Sequence, residues 1–240
     1  PTNQPKTNTD PEKIKIVQKD APKYFWDYAQ SNTKLARERY HTDNPGQDAH
    51  VVSTGGSGFG LMTILVGIKN GYVTRTDAVS RLSTALNFLQ NANRFHGAWP
   101  HWMDGNTGNV IPFSTKDNGG DLVETAFLAQ GLICVREYFK NSTDATELAI
   151  SKKADDLWKG IEWNWYTQGQ NVLYWHWSPN YNFEMNHQLR GFDETLITYV
   201  LAAASPNYAI EKTVYTEGWA RSGAIKTSAS QYGIPLIVNH

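Results

Sequence analysis

The sequence predicts an all-α fold, an α/α toroid, and three observations carry that prediction. Helical segments that are apolar all round alternate with amphipathic ones. The apolar segments recur roughly every 60 to 70 residues, the mark of a repeated helix pair. The connections at one end of the apolar helices are short, and those at the other end are long. Inner helices running parallel, each followed by an outer helix, give that pattern.

Composition sets the class first. Hydrophobic residues make up 40% of 240, enough for a packed core, and the net charge of -1 gives no sign of nucleic-acid binding. The single cysteine, Cys134, excludes an internal disulfide and reads as a core thiol. No apolar run approaches the length of a membrane span. The chain does not open on Met and has no signal peptide, so a processed or trimmed chain is expected.

Residues 1–22 are polar, with Pro1, Pro5, Pro11 and Pro22, and read as a tether. A tether suits an exported protein, so a periplasmic, cell-surface or secreted location is expected. Residues 23–240 are then the toroidal part of the chain. Its first helix is the amphipathic segment 23–31. In Leu35-Ala-Arg-Glu-Arg39, Arg37 or Arg39 is expected to reach a cleft, against the plainer reading of a solvated charge run. Ser53-Thr-Gly-Gly-Ser-Gly-Phe-Gly60 resembles a phosphate-binding loop but lacks its lysine. It reads as a tight turn into the first inner helix, 58–70, with the Ser57 region free to meet a substrate. The outer helix 74–92 carries Val79, Leu82, Leu86 and Leu89 on one stripe, capped by Thr76 or Asp77.

The second inner helix, 120–139, anchors the site. Asp117 lies in the loop before it, and Asp121 and Glu124 share one face of its first turns. Capping accounts for one carboxylate at a helix N-terminus but poorly for three. The outer helix 145–165 turns Ile150, Ala154, Leu157, Trp158 and Ile161 inward. The third inner helix, 191–205, opens with Asp193 and Glu194, and a mixed helix spans 209–221.

The long connections, roughly 32–57, 93–119 and 166–190, all fall where the inner helices begin, and long loops are usually functional. Two of them read as β-hairpins, Ala98–Phe113 and Val172–Trp177. Trp99, Trp102, Trp165, Trp175 and Trp177 lie in or beside these loops. Aromatic rings stack on sugar faces, and paired carboxylates are what glycoside cleavage needs. His96, His101 and Asp104 match no metal-ligand spacing, so hydrogen-bonding histidines, no metal and no cofactor are expected. Few fixed cations offset the carboxylates, chiefly Arg37, Arg39, Lys116 and Arg190, so a neutral glycan is favoured over an acidic one.

Ala36-Arg-Glu-Arg39, Ser53–Met62, Gly97-Ala-Trp-Pro-His-Trp102, Lys116–Gln130, Trp175-His-Trp-Ser-Pro179 and Gly191-Phe-Asp-Glu194 together resemble the bacterial glucoamylase-like family. Its members include endo-β-1,2-glucanases, and the match runs in order from about Lys23 to the C-terminus. The resemblance implies an (α/α)6 toroid and inverting hydrolysis of a β-glucan, β-1,2-linked. It implies that Asp117, Asp121, Glu124 and Glu194 are the acidic residues of the site. Trp99, His101, Trp102, Trp175, Trp177, Arg37, Arg39 and Lys116 are the expected oligo- or polysaccharide contacts. Glu194 is expected as general acid, with Asp121 and Glu124 orienting the sugar and Asp117 assisting. Two other readings of such a toroid stay open: a glycan-binding protein without catalysis, and a polysaccharide lyase.

The sequence departs from the family in helix number. About seven helices stand against the twelve of a complete toroid, so the chain reads as an N-terminal half. The exposed inner faces are then expected to be covered by the missing C-terminal half or by self-association, and this length alone is expected to have little activity.

Overall fold

A computed structural model describes residues 9–237. Helix α1 spans Asp10–Trp26 and buries no residue. It forms from its cap: Glu12 accepts the Thr9 backbone N–H at 2.7 Å, and Pro11 occupies the first turn. Residues 10–22 are therefore helical and not a tether, while residues 1–8 lie outside the described residues. The helix expected over 23–31 ends at Trp26. Beyond it the Gln30 side chain accepts the backbone N–H groups of Asn32 and Thr33 and folds the chain into a turn.

Strand β1 (Val51–Ser53) leads straight into α2 (Thr54–Asn70). Ser53 caps α2 by accepting the Gly56 N–H, so the glycine-rich stretch is the first turn of a helix and not a loop. Ser57 is buried, bonded to Ser53 and to the Ala36 N–H, and is not free for substrate. Gly71 ends α2 at φ 69°. Helix α3 (Arg75–Asn91) is capped by Thr74, one turn earlier than expected, and Asp77 accepts the Thr74 hydroxyl in return. Leu82, Leu86 and Leu89 are buried as the stripe predicts.

Strands β2 (Trp102–Asp104) and β3 (Val110–Ile111) form the expected hairpin and extend β1 into a three-stranded antiparallel sheet. Strand β4 (Gly120–Asp121) feeds α4 (Leu122–Phe139). The second expected hairpin does not form. Its strand β5 (His176–Trp177) pairs instead with β4, in the register Asp121 opposite His176. Helix α5 (Ala145–Lys159) stops at Gly160, and a 3₁₀ turn follows over Trp163–Thr167. Helix α6 (Leu196–Ala204) starts later than expected, which leaves Asp193 and Glu194 in the turn before it. The helix expected over 209–221 is a π-helical turn, Val214–Trp219, and a terminal hairpin, β6 (Lys226–Gln231) and β7 (Ile234–Ile237), closes the described chain.

Helix α4 is the centre of the packing. It meets α2, α5 and α6, while α3 packs on α2 and α5. Leu122, Val123, Ala126, Leu128, Leu132 and Val135 are all buried, each larger side chain contributing about 1.5–3 kcal/mol. The α2–α4 crossing is set by glycine. A Cβ on Gly58 would stand 2.1 Å from the Phe127 carbonyl oxygen, and one on Gly131 would stand 2.4 Å from that of Gly58. The backbones touch there, so the N-termini of α2 and α4 lie side by side. Phe59, Val66 and Val200 of α2 and α6 remain exposed.

Candidate active site

The site begins where those two N-termini meet. Helix N-termini leave backbone N–H groups without intrahelical partners. One of them, Gly55 N–H in α2, donates to Oε2 of Glu124 in α4 at 2.8 Å. A Cβ at position 55 would lie 2.5 Å from that oxygen, so the contact requires glycine. Over it opens a cavity of about 630 Å³ whose walls include Glu38, Arg39, His101, Trp102, Phe113 and Glu194. Phe113 packs against both His101 and Trp102, with ring centroids at 4.2 and 4.9 Å, and forms an exposed aromatic wall.

Beneath the cavity lies a buried charged network. Asp121 caps α4: its Oδ1 accepts the Val123 and Glu124 N–H groups at 3.0 and 2.9 Å. Its Oδ2 accepts from His101 Nδ1 at 3.0 Å and lies 3.5 Å from His176 Nε2. His176 Nε2 also pairs with Asp117 at 3.1 Å. Asp117 and Asp121 are both buried. Burial alone would push the Asp121 carboxyl up, but the hydrogen bonds from His101 and His176 outweigh it and hold it well below the usual carboxylate range. Burial lowers His176 while Asp117 and Asp121 raise it, and the carboxylates win, bringing it to about 9. The same balance raises His101. Glu124 moves the other way from Asp121: desolvation, then the Asp121 charge, push its carboxyl up, with Glu194 adding to the effect.

His101, Asp117 and Asp121 converge, their ligand atoms within 4.8 Å of one another. His176 Nε2 already stands within 3.5 Å of both carboxylates and supplies positive charge there. Asp104 instead accepts backbone N–H groups of Asn106 and Thr107, and His96 pairs with Glu162 at 3.0 Å.

The structure thus brings together Glu124, Glu194, His101, Trp102 and Arg39 on one cavity. It places Asp117 and Asp121 under that cavity. Five other expectations change. Trp99 is a core residue: its ring is buried and its indole N–H donates to Leu89 O at 3.0 Å. Arg37 is buried and spends its guanidinium on the carbonyls of Pro45 and Gln47 at 3.0 and 2.8 Å. Lys116 pairs with Glu184 outside the cavity wall. Trp175 stacks on His187, and Trp177 sets its edge to His96 and Trp165, so neither lines the cavity. Glu38, Phe113 and His176 belong to the site without having been singled out. Each lies in or beside a stretch that drew attention, but sequence spacing cannot tell which way a loop side chain turns. Asp193 accepts the N–H and hydroxyl of Thr195 at 2.9 and 2.5 Å. It is thereby held as a turn-former, while Glu194 beside it faces the cavity.

The site can therefore place two carboxyl groups, Glu124 and Glu194, against a ligand flanked by flat aromatic surface. Residues 186–240 match a family model described as Glycoamylase, "Putative glucoamylase". The exo β-1,2-glucooligosaccharide sophorohydrolase (non-reducing end) of Parabacteroides distasonis is 46% identical over 215 residues, 88% of this chain and 29% of the relative. The endo-β-1,2-glucanase of Chitinophaga pinensis, solved with sophorotriose and glucose, superposes with a TM-score of 0.92 at 52% identity, over 98% of this chain and 56% of that one. The β-1,2-glucanase of Parabacteroides distasonis gives a TM-score of 0.87 at 41% identity, over 97% and 35%. The chain spans from about a third to just over half of these relatives. Across nearly all of its own length the chain is similar to these glucoamylase-like proteins.

Proposed function

We propose that the protein carrying this chain is a glycoside hydrolase acting on a neutral β-glucan, β-1,2-linked, within an α/α toroid. The observation that carries the reading is the placing of Glu124 and Glu194 on one cavity walled by Trp102 and Phe113. Glycosidases need two carboxyl groups about the scissile bond. Glu194 is the better proton donor on geometry. Among the described residues it makes no hydrogen bond to the protein, so its carboxyl is free to meet a leaving-group oxygen. Glu124 is tied to Gly55 and its proton is favoured by burial, which suits it to donate a hydrogen bond to a sugar hydroxyl. Asp121 and Asp117 hold the floor of the site. Arg39, paired with Glu38 at the rim, and His101 are placed to bind hydroxyls. The 2-linked substrate follows from the activities of the relatives, and a periplasmic or cell-surface location would suit hydrolysis of such a polymer. The test is a panel of β-1,2-, β-1,3-, β-1,4- and α-1,4-glucans with the complete protein, read by reducing-sugar release. Release from the β-1,2 polymer is expected to dominate. Unsaturated products from a uronic acid polymer, or binding without turnover, would overturn the reading.

A further inference from the structure

We infer that His176 is a positioning residue for this site: its Nε2–H bridges Asp117 and Asp121 and, through Asp121, fixes both His101 and the first turn of α4. The inference rests on the proposed catalytic reading for its kinetic consequence, though not for its structural content.

The bridge is built by the fold. The β4–β5 ladder sets His176 directly opposite Asp121, and directly opposed residues of an antiparallel pair present their side chains on the same face. The Leu122 N–H donates to the Trp175 carbonyl at 2.9 Å, so β5 is pinned one residue further along as well. The Trp175 ring lies nearly parallel to that of His176, at 13°. The imidazole has little freedom to turn, and its side chain is only 10% exposed.

Charge requires the bridge. Two carboxylates 3% and 0% exposed would each be costly to bury without a counter-charge. Among the described residues no Lys or Arg pairs with either; the basic groups on them are His101 and His176. His101 reaches Asp121 only, so Asp117 depends on His176 alone. The His101 and His176 rings are thus the basic groups set against the two carboxylates. The rise of His176 to about 9 accords with this arrangement.

The consequence reaches the cavity by one step. Asp121 Oδ2 is shared between the two histidines, and its Oδ1 holds the Glu124 N–H. Loss of the bridge leaves Asp117 unpaired and frees Asp121 to shift, which moves His101 and Glu124 together. Displacements of an ångström or less in such groups cost about ten- to a hundredfold in rate. The titratable groups facing His176 are Asp121 on β4, Asp117 in the loop before it and His187 in the loop after β5. Through Asp121 it is also coupled to His101, Glu124 and Tyr166.

The experiment uses His176→Gln and His176→Phe in the complete protein. Gln keeps a donor near the Nε2 position but no charge; Phe keeps shape and loses both. Imidazole ¹⁵N NMR of the unsubstituted protein is expected to show His176 protonated at pH 8, and kcat on β-1,2-glucan to fall about ten- to a hundredfold in His176→Phe with KM changed far less. His176→Gln should fall in between and lose the alkaline limb of the kcat–pH profile. A His176 that titrates near 6.5, or a folded His176→Gln with native kcat and a native pH profile, would overturn the inference. Should His176→Phe not fold, the Gln variant decides. Should the unsubstituted protein cleave no glucan, the functional reading fails separately, and the NMR titration still decides the bridge.

Discussion

Asp121 accepts the Nδ1–H of His101 at 3.0 Å, which leaves Nε2 as the nitrogen His101 can offer to a ligand in the cavity. A buried carboxylate on one ring nitrogen fixes the ring's orientation and aims the other nitrogen. His101→Asn retains a donor near the Nδ1 position and loses the one that faces the cavity. We expect it to keep the melting temperature within a few degrees and to raise KM for β-glucan about tenfold, the worth of one hydrogen bond to a ligand. Thermal melts and initial rates on one preparation check both. An unchanged KM would place His101 outside substrate binding.

The same network sets how stability depends on pH, and the two signs oppose. Asp121 is lowered on folding, so its contribution is present above its unfolded value near 3.8 and is lost as pH falls below that. His176 is raised to about 9, so its contribution is full below its unfolded value of 6.5 and is lost as pH rises through 9. The His176 loss between pH 6 and pH 9.5 comes to roughly 3 kcal/mol at 1.36 kcal/mol per unit. Urea midpoints across this range should fall on the alkaline side, and His176→Gln should flatten that fall. An alkaline fall of equal size in the variant would assign it to other groups.

Helix order was legible because α4 writes itself twice in the sequence, as an apolar run and as an acid placed to cap it. That Asp121 and Glu124 lie together could be read from spacing alone, since residues three apart on a helix share a face. Arg37 and Trp99 were misjudged because burial of a loop residue is decided by what returns to cover it. The carbonyls of Pro45 and Gln47 and the helix α3 carbonyl of Leu89 stand eight to ten residues away, and only the folded path of the loop brings them back. His176 was invisible as a site residue for a related reason. Its strand pairs with residues 120 and 121 and not within its own loop, and no local pattern encodes that partner.

Arg37 and Arg39 stand two residues apart and should separate cleanly by experiment. Arg37 is buried and ties two loop carbonyls, so Arg37→Ala removes both ties and its packing and should cost about 1–3 kcal/mol in urea unfolding. Arg39 lies at the cavity rim beside Glu38, and Arg39→Ala should leave the urea midpoint unchanged while raising KM. The reverse pattern would mean that the rim residue is structural.

The α2–α4 crossing admits no side chain where the backbones meet. Gly131→Ala would put a methyl 2.4 Å from the Gly58 carbonyl oxygen, a backbone atom that cannot swing aside. We expect a loss of about 1–3 kcal/mol or more by denaturant titration. Activity should fall with it, because this crossing sets Gly55 against Glu124. Native stability in Gly131→Ala would show that the helices can separate without cost.

Glu194 and Asp193 are neighbours with opposite assignments, and this pair gives the sharpest test of the proposed chemistry. Asp193 is spent locally, bonded to the N–H and hydroxyl of Thr195 ahead of α6. Glu194 lines the cavity and has no such tie. In Glu194→Gln the side chain keeps its size and loses its proton-donating acid, so the fold should be intact and kcat on β-1,2-glucan should fall about a hundredfold or more. Asp193→Asn keeps an acceptor for Thr195 and should cost far less. Glu124→Gln keeps the acceptor for the Gly55 N–H and a donor toward the sugar, so it should raise KM more than it lowers kcat. The three variants are measured on one glucan with circular dichroism as the control for folding. If Glu194→Gln turns over at the native rate while Glu124→Gln is dead, the proton comes from Glu124. The raised carboxyl over the α2 N-terminus would then be the acid itself.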